Sequence, residues 1–346
     1  MPQKRIVVGL SGGVDSSVSA KILKEEGHEV IGLFMKNWEE DNDLGICPAK
    51  EDFDDVMRVA LALDIPYYTV NYSKAYREKV FDEFIEGLKK GLTPNPDLLC
   101  NREIKFKVLL EAAENLGADF LATGHYCRRD ENGRLLKGID PLKDQSYFLA
   151  QVPSTAIRKS LFPIGDLEKP RVREIAKSAS LATHAKKESM GICFIGNKNF
   201  KKFIESYIPA TTGSFYDMET KKRISSHDGA CFYTIGERAR ISGSDAPYFV
   251  AKKEGNDVFV VKGKDHPLLY TSSLSASSPF WIHDTPDILK SYTAKIRYRQ
   301  NDQKCSIRLT DRGLKVDFET PQRAATPGQY VVFYDGDVCL GSAIID

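Results

Sequence analysis

A short strand that runs straight into a loop of glycine and serine limits the possible folds of this chain more than any other feature. The apolar run from Arg5 to Leu10 ends in SGGVDSS, and apolar residues at helical spacing follow from Ser16. Such a loop offers unpaired backbone N–H groups and the positive end of a helix dipole to an anion. Gly12 and Gly13 allow close approach to phosphate, and Asp15 is a candidate ligand for Mg²⁺. The sequence therefore predicts an α/β unit that binds a nucleotide.

The loop differs from the two commonest nucleotide motifs. It has neither the G-K-[ST] of a Walker A motif nor the G-x-G-x-x-G of a dinucleotide fold. No lysine stands in the loop to reach a terminal phosphate, so transfer of the γ-phosphate is disfavoured.

Strands and helices alternate along the first part of the chain, which is typical of a doubly wound parallel sheet. Further strands are predicted at Val30–Met35, at Tyr67–Val70 and from Phe120. Helices are predicted at Phe53–Leu63, Ala75–Lys90, Ile104–Leu116, Pro170–Ala179 and Phe200–Tyr207. The tripeptide ENG at Glu131–Gly133 predicts a hairpin turn.

The pattern changes after Pro209 to short alternating segments separated by Gly, Asn and Asp, which favours antiparallel strands. We expect a catalytic domain at 1–208, a small β-rich central domain at 209–274, and a C-terminal domain at 275–346 that forms a small β-barrel or sandwich.

Composition excludes several classes of protein. The 346 residues carry a formal net charge of only +1, so affinity for nucleic acid must come from local patches. The seven cysteines lack the spacing of a disulfide framework or a zinc site. The first apolar run is too short for a signal peptide or a membrane span. We expect a cytoplasmic protein without a membrane segment.

Two cysteines stand in contexts that suit chemistry. Cys100, in TPNPDLLCNREIKF, precedes a predicted helix, and Arg102 and Lys105 would favour its thiolate. Cys193, in KKESMGICFIG, follows a basic pair and lies between glycines. A single free cysteine is more often a small buried side chain, so neither position is decisive alone.

Several motifs taken together resemble one family. SGG-x-DS resembles the PP-loop of ATP pyrophosphatases, which have an adenine nucleotide alpha hydrolase-like fold. The tRNA-specific 2-thiouridylases show a longer series in the same order: SGGVDSS, TPNPDLLCN, IKF, ATGHY, KDQSYFL, FPIG, KESMGICFI and YTIGER. The resemblance covers nearly the whole chain. It implies an enzyme that uses ATP, Mg²⁺ and a persulfide from a sulfur-carrier protein to convert the C2 oxygen of the wobble uridine of tRNA to sulfur.

The resemblance also implies roles for individual residues. Cys193 would receive the persulfide, Cys100 would attack it and close a transient disulfide between the two, and Asp97 would act as acid or base. The implied ATP site comprises Gly9, Leu10, Ser11, Gly12, Gly13, Val14, Asp15, Ser16, Met35 and Gly124. The implied tRNA contacts are Asn95, Pro96, Asp97, His125, Lys143, Asp144, Gln145, Tyr298, Arg299 and the turn Gly328–Gln329. A monomer is expected.

Some of these residues have ordinary structural alternatives. Asp97 is also suited to cap a helix after Pro96, His125 to end a strand, and Lys143–Gln145 to form a solvated turn. Lys295, Arg297 and Arg299 alternate in SYTAKIRYRQ, so a strand would present three cations on one face, either to phosphates or as a charged edge.

The chain departs from the family at two places: KESM where KESQ is common, and YTIGERARIS where YTIGQRKGLG is common. Both departures lie near or after Cys193, so they affect the loop around that residue and the contact of the central domain with tRNA. The remaining cysteines are predicted to be structural: Cys47, Cys127, Cys231, Cys305 and Cys339.

Two rival functions share the loop. An amidotransferase or a tRNA lysidine synthetase would adenylate its substrate but has no use for Cys100 and Cys193. A non-catalytic nucleotide sensor would bind ATP without releasing pyrophosphate. Replacing both cysteines by serine separates the first rival from sulfur transfer, and pyrophosphate release separates the second.

Overall fold

The computed structural model describes residues 2–38, 48–187 and 199–346, which form three β-sheets. Cys47, Met190 and Cys193 lie outside the described residues, so the implied disulfide between Cys100 and Cys193 does as well. Within the described ranges, no helix is both long and apolar enough to cross a membrane.

The first sheet is parallel and has the strand order β3-β2-β1-β4-β7. The strands of this part of the chain are β1 (Arg5–Leu10), β2 (Glu29–Lys36), β3 (Tyr67–Asn71), β4 (Phe120–Ala122), β5 (Cys127–Arg129), β6 (Leu135–Lys137) and β7 (Ser160–Leu161). Ile6 and Val8 pack in one core cluster and Val7 in another, so both faces of β1 are buried. The predicted doubly wound sheet is confirmed.

The helices fall largely where the sequence places them. The α-helices are α1 (Val14–Glu25), α2 (Pro48–Leu63), α3 (Ser73–Tyr76), α4 (Asp82–Lys89), α5 (Pro96–Leu99), α6 (Leu109–Asn115), α7 (Ser146–Leu149), α8 (Ser154–Arg158), α9 (Lys169–Ser178) and α10 (Phe200–Glu205). Two π-helical segments, Arg77–Phe81 and Cys100–Val108, continue α3 and α5. The helix predicted from Ile104 therefore begins earlier, at Pro96.

The central sheet has the order β10-β11-β12-β8-β9 and a core that includes Phe215, Val250 and Val258. Its strands are β8 (Gly213–Asp217), β9 (Arg223–His227), β10 (Arg238–Ala239), β11 (Tyr248–Glu254) and β12 (Asp257–Lys262). Short 3₁₀ turns lie at Ala230–Phe232 and Pro267–Leu269.

The last strands close into a six-stranded barrel, because β13 pairs with both β16 and β18. They are β13 (Tyr270–Trp281), β14 (Tyr292–Lys295), β15 (Gln303–Thr310), β16 (Gly313–Arg323), β17 (Tyr330–Asp335) and β18 (Val338–Ile345). Of the two alternatives expected from the sequence, a barrel or a sandwich, the barrel is therefore correct. Strand β13 begins before the expected domain boundary at 275.

The catalytic domain and the barrel are joined through a shared sheet. The antiparallel hairpin β5–β6, which turns at the predicted ENG, pairs with β18 through Leu136 and Val338. One core cluster runs from Val7 in β1 to Tyr334 in β17. One face of β17 is therefore packed in the core of the N-terminal domain, while its other face, through Val331 and Phe333, lies in a core of the barrel's own.

Candidate active site

The loop Ser11–Ser17, called the nucleotide loop below, is shaped by its own hydroxyl groups. Ser16 Oγ accepts a hydrogen bond from the Ser11 N–H at 3.1 Å and donates to the Gly13 carbonyl at 3.2 Å. Ser17 Oγ donates to that carbonyl at 2.8 Å. Gly13 is the N-cap of α1, and within the described part of the chain no side chain caps this helix. An uncapped helix N-terminus is suited to bind phosphate.

Two glycines let other backbone segments touch the nucleotide loop. Gly12 has φ +72°, and a Cβ there would lie 2.5 Å from the Asp52 carbonyl oxygen in α2. A Cβ on Gly124, just after β4, would lie 2.7 Å from the Ser16 nitrogen. Larger side chains at either position would force the loop away from its neighbours. The predicted ATP residues Gly9–Ser16 and Gly124 are thus brought together.

Asp15 does not fit the role of a direct magnesium ligand. Lys169 Nζ lies 2.8 Å from each of its carboxylate oxygens, and the Tyr126 hydroxyl donates to Oδ1 at 2.8 Å. A metal ion bound here would have to displace an ammonium group. Among the residues that the structure describes, no group of three or more His, Cys, Asp or Glu side chains is arranged to hold a metal.

A cavity of about 270 Å³ is lined by residues from all three parts of the chain, and we call it the interdomain pocket. Its lining includes Asn95, Asp97, Cys231, Thr234 and Gln329, which belong to all three parts of the chain. The remaining lining residues are Phe84, Leu88, Thr93, Pro94, Pro96 and Phe200. The pocket therefore combines apolar walls with a few polar groups, as ligand sites commonly do.

Asp97 lies in the first turn of α5 and faces the pocket. Asn95 is the N-cap of this helix, and its Oδ1 accepts the Asp97 N–H at 3.1 Å. Burial raises the pKa of Asp97 above its ordinary value, and the positive charge of Lys105 opposes this shift only in part. A carboxyl group with a raised pKa keeps its proton to a higher pH than a free carboxyl group does, which suits it to exchange a proton with a bound base. The helix cap weighed for Asp97 is provided instead by Asn95.

Cys100 begins the π-helix Cys100–Val108 and is only 3% exposed. It packs in a cluster with Leu99, Ile104 and Phe203, which Cys231 also contacts. π-helical turns are rare and occur often at functional sites. The predicted electrostatic help from Arg102 is directed elsewhere, because its guanidinium donates to Glu103 at 2.8 Å and to Gln151 at 2.7 Å.

The barrel reaches the pocket through Gln329. Gln329 Nε2 donates to the Thr93 carbonyl at 2.6 Å, and Asn95 Nδ2 lies 3.4 Å from Gln329 Oε1. The structure thus brings Gln329 to Asn95 and Asp97, although it follows Asn95 by 234 positions.

Three of the predicted tRNA contacts are turned into the protein. His125 is buried, with Nδ1 2.8 Å from Thr123 Oγ1, and burial holds its pKa well below the ordinary value. Asp144 is 5% exposed, and its Oδ2 lies 3.3 Å from Lys295 Nζ in the barrel. Gln145 Oε1 accepts the Tyr126 N–H at 2.9 Å. These bonds connect the catalytic domain internally and to the barrel.

The predicted strand with three cations on one face is wrong, because β14 ends at Lys295. Lys295 points inward to Asp144, and Arg297 donates to the Arg323 carbonyl at 2.8 Å. Arg299 is exposed in the turn after β14, with its guanidinium 5.3 Å from the centre of the Tyr298 ring. The Tyr298 hydroxyl donates to the Lys143 carbonyl at 3.4 Å.

One short segment links the two parts of the site. Gly124 contacts the nucleotide loop, and the next residue, His125, has its ring 5.6 Å from Phe106 in the helix of Cys100. Met35, at the end of β2, packs against the cluster that holds Cys100. The nucleotide loop and the π-helix Cys100–Val108 therefore approach the same short turn from two sides, the π-helix through Phe106.

Sequence reasoning missed several groups near the loop. The sequence around Lys169 and Tyr126 did not indicate a role for either residue. Its only notable local features are the proline that follows Lys169 and the ATGHY motif that contains Tyr126. Lys186 pairs with Asp52 at 2.8 Å and with Asp55 at 2.6 Å, and both carboxylates belong to α2. Asp52 is also the residue whose backbone touches Gly12.

Comparison with known protein families gives matches along nearly the whole chain. The tRNA methyl transferase HUP domain matches residues 4–197, the tRNA methyl transferase PRC-barrel domain matches 201–262, and the aminomethyltransferase beta-barrel domain matches 271–345.

Curated relatives match over the full length. The tRNA-specific 2-thiouridylase MnmA of Bacillus subtilis (strain 168) is 52% identical over 354 residues, covering 99% of this chain and 95% of that protein. MnmA 1 of Geobacillus kaustophilus (strain HTA426) is 51% identical over 357 residues, covering 100% and 96%. MnmA of Chlamydia pneumoniae is 49% identical over 354 residues, covering 99% and 98%. The family descriptions name methyl transferases, whereas these relatives are named thiouridylases, and the cysteine motifs agree with the relatives.

Proposed function

The chain belongs to the tRNA-specific 2-thiouridylase family, and on this premise we propose roles for its individual residues. The protein is an ATP-dependent tRNA sulfurtransferase. It replaces the C2 oxygen of the wobble uridine by sulfur and releases AMP and pyrophosphate.

The first step is adenylation of the base. The uracil C2 oxygen attacks the α-phosphorus of ATP, an O–P bond forms, and the bond to the β-phosphate breaks to release pyrophosphate. The nucleotide loop holds the phosphates on backbone N–H groups at the start of α1. The oxygen, a poor leaving group by itself, becomes part of AMP. The proposed ATP residues are Gly9–Ser16, Met35 and Gly124.

The second step transfers sulfur. The outer sulfur of a Cys193 persulfide attacks C2, and AMP leaves with the original oxygen. Cys100 attacks Cys193 Sγ, which releases that sulfur and closes a disulfide between the two cysteines. A second thiol is needed because the bond between Cys193 Sγ and the transferred sulfur breaks only when a thiol or another reductant attacks Sγ, and the electron pair of that bond then leaves with the sulfur on C2. Asp97, with its raised pKa, exchanges a proton with the base.

The flipped uracil occupies the interdomain pocket, since a base must leave its stack before chemistry at its ring. Asn95, Pro96, Asp97 and Gln329 would contact the base, and exposed Arg299 with Tyr298 would contact the adjoining backbone. Lys143 lies beside Tyr298 on the same surface. We propose that His125, Asp144 and Gln145 position these groups rather than touch tRNA.

We also propose a partner and a setting. The sulfur arrives from a sulfur-carrier protein, the enzyme acts as a monomer, and it works in the cytoplasm. These proposals follow from family membership and from the reducing environment that free thiols require.

The observation that carries the proposal is the turn at Gly124 and His125, which places the nucleotide loop and the helix of Cys100 side by side. We propose that a base held beside Asp97 in the interdomain pocket is served by ATP on the nucleotide loop and by the Cys100 thiol, which lies in the helical run that begins at Pro96.

The test is mass spectrometry of unmodified tRNA after incubation with the protein, ATP, Mg²⁺ and a persulfide source. Cys100→Ser and Cys193→Ser should each abolish 2-thiouridine, while Cys305→Ser, buried in the barrel, should not. Pyrophosphate release is measured in parallel. Full thiolation by both variants would overturn the sulfur mechanism and favour another acceptor for the adenylate.

A further inference from the structure

A buried lysine lies against the nucleotide loop. Lys169 is 8% exposed and contacts both oxygens of Asp15, whose other partner is the Tyr126 hydroxyl. Its Nζ also lies 5.6 Å from the centre of the Tyr126 ring. Lysine is almost never buried unless it is paired. Here the pairing places its charge at the first turn of α1.

The position of Lys169 is fixed from its own backbone as well. It is the first residue of α9, and Pro170 follows it in the first turn. Its N–H donates to Asp140 Oδ2 at 3.0 Å, and Asp140 is itself buried. Because backbone and side chain are both held, the ammonium group is preorganised relative to the loop.

The nucleotide loop has no positively charged side chain of its own. SGGVDSS contains no basic residue and one acidic residue. The dipole of α1 supplies about half a unit of positive charge, far less than the charge of a triphosphate. An unpaired Asp15 carboxylate would repel the phosphates. Lys169 cancels that repulsion and adds a donor close to the loop.

We infer that Lys169 is the cation that binds the β- and γ-phosphates of ATP at the nucleotide loop and stabilises the pyrophosphate as it leaves, with Asp15 and Tyr126 holding it in place. This inference rests on the proposed adenylation reaction. Breaking the bond between the α- and β-phosphates moves negative charge onto the leaving group. A preorganised cation contributes most where charge develops in the transition state.

Asp15 then has a different task from the one that its place in the motif suggests. Asp15 acts through Lys169 and not by holding a metal ion. Loss of Lys169 should therefore weaken binding of pyrophosphate even when no metal ion is present.

The experiment measures binding of pyrophosphate, ATP and AMP by isothermal titration calorimetry, each with Mg²⁺ and with EDTA. Lys169→Met should weaken pyrophosphate and ATP by about tenfold or more, as expected for a lost charged hydrogen bond, and AMP by less than about twofold. Lys169→Arg should recover part of the affinity. Lys177→Met, at the exposed end of the same helix, is the matched control and should bind like wild type.

Lys169→Met leaves the Asp15 carboxylate without its ammonium partner and risks misfolding the loop. The double variant Asp15→Asn with Lys169→Met removes both charges and should show the same loss of pyrophosphate affinity. Equal weakening of AMP and pyrophosphate, or wild-type affinity in both variants, would overturn the inference. Failure of the wild-type protein to bind ATP or pyrophosphate would instead refute the proposed function, so the two failures are distinct.

Discussion

The nucleotide loop takes its shape largely from one stretch of chain, whereas the interdomain pocket is formed by residues from three domains. The loop's internal bonds join Ser11, Gly13, Ser16 and Ser17. The pocket depends on Gln329 of the barrel and on Cys231 and Thr234 of the central domain. A site of the first kind depends on its own hydrogen bonds and on neighbours within one domain, such as Lys169, while a site of the second kind is only as stable as the contacts between domains.

The largest effect is expected from weakening the contact between the barrel and the N-terminal domain. Asp144→Ala should destabilise the protein by about 3–5 kcal/mol, because it removes the buried partner of the Lys295 ammonium and leaves the buried N–H groups of Gly138 and Ser146 without their acceptor. Asp302→Ala removes the more exposed partner of Lys295, 3.6 Å away, and should cost under about 1 kcal/mol. Urea unfolding measures both. An unchanged stability with a raised KM for tRNA would return Asp144 to the role of a tRNA contact.

A second substitution alters the backbone of the nucleotide loop itself. Gly12→Ala should weaken ATP binding by about 100-fold, since the new Cβ would lie 2.5 Å from the Asp52 carbonyl and the loop must shift. Gly91→Ala has a similar φ of +77° with nothing near the new Cβ, so it tests backbone strain alone. Calorimetric titration with ATP should show a normal affinity for the Gly91 variant. Equal losses in both would mean that the contact with Asp52 is irrelevant.

A third change addresses the pocket alone. Gln329→Ala removes the bond to the Thr93 carbonyl and should raise the KM for tRNA by about tenfold, with ATP affinity unchanged. Gln303→Ala, on β15 of the same barrel, provides the control. Steady-state thiolation kinetics distinguish the two sites. A parallel loss of ATP affinity would show that loop and pocket are not separate.

The smallest expected effect is a change in how the stability of the folded protein depends on pH. Burial raises the pKa of Asp97, so the folded protein binds this proton more tightly than the unfolded chain does. The resulting stability is present at low pH and declines as pH rises from about 4 through the raised pKa. Asp97→Asn should lack this decline. Thermal melts of both proteins between about pH 4 and pH 7 should therefore diverge as pH rises, and parallel curves would contradict the shift.

Much of the catalytic domain was predictable because its signals are local. Apolar runs and helical spacing located β1, α1, β2 and α2 to within a few residues, and ENG located the hairpin β5–β6. The strand predicted through Arg299 failed because the chain turns after Lys295, where the Ile296 N–H bonds to the Gln300 side chain. Alternating charge in sequence does not reveal such a turn.

The sequence by itself determined the parallel sheet, the loop at its edge and the family to which the chain belongs, since these depend on residues that are neighbours or lie in a fixed order. Only the tertiary structure decided that Lys169 contacts Asp15, which lies 154 positions before it in the chain. The same holds for the ion pair between Asp144 and Lys295 and for the place of Gln329 in the interdomain pocket. The reason is physical: contacts between distant segments depend on how elements pack, and their energies leave no periodic pattern in the chain.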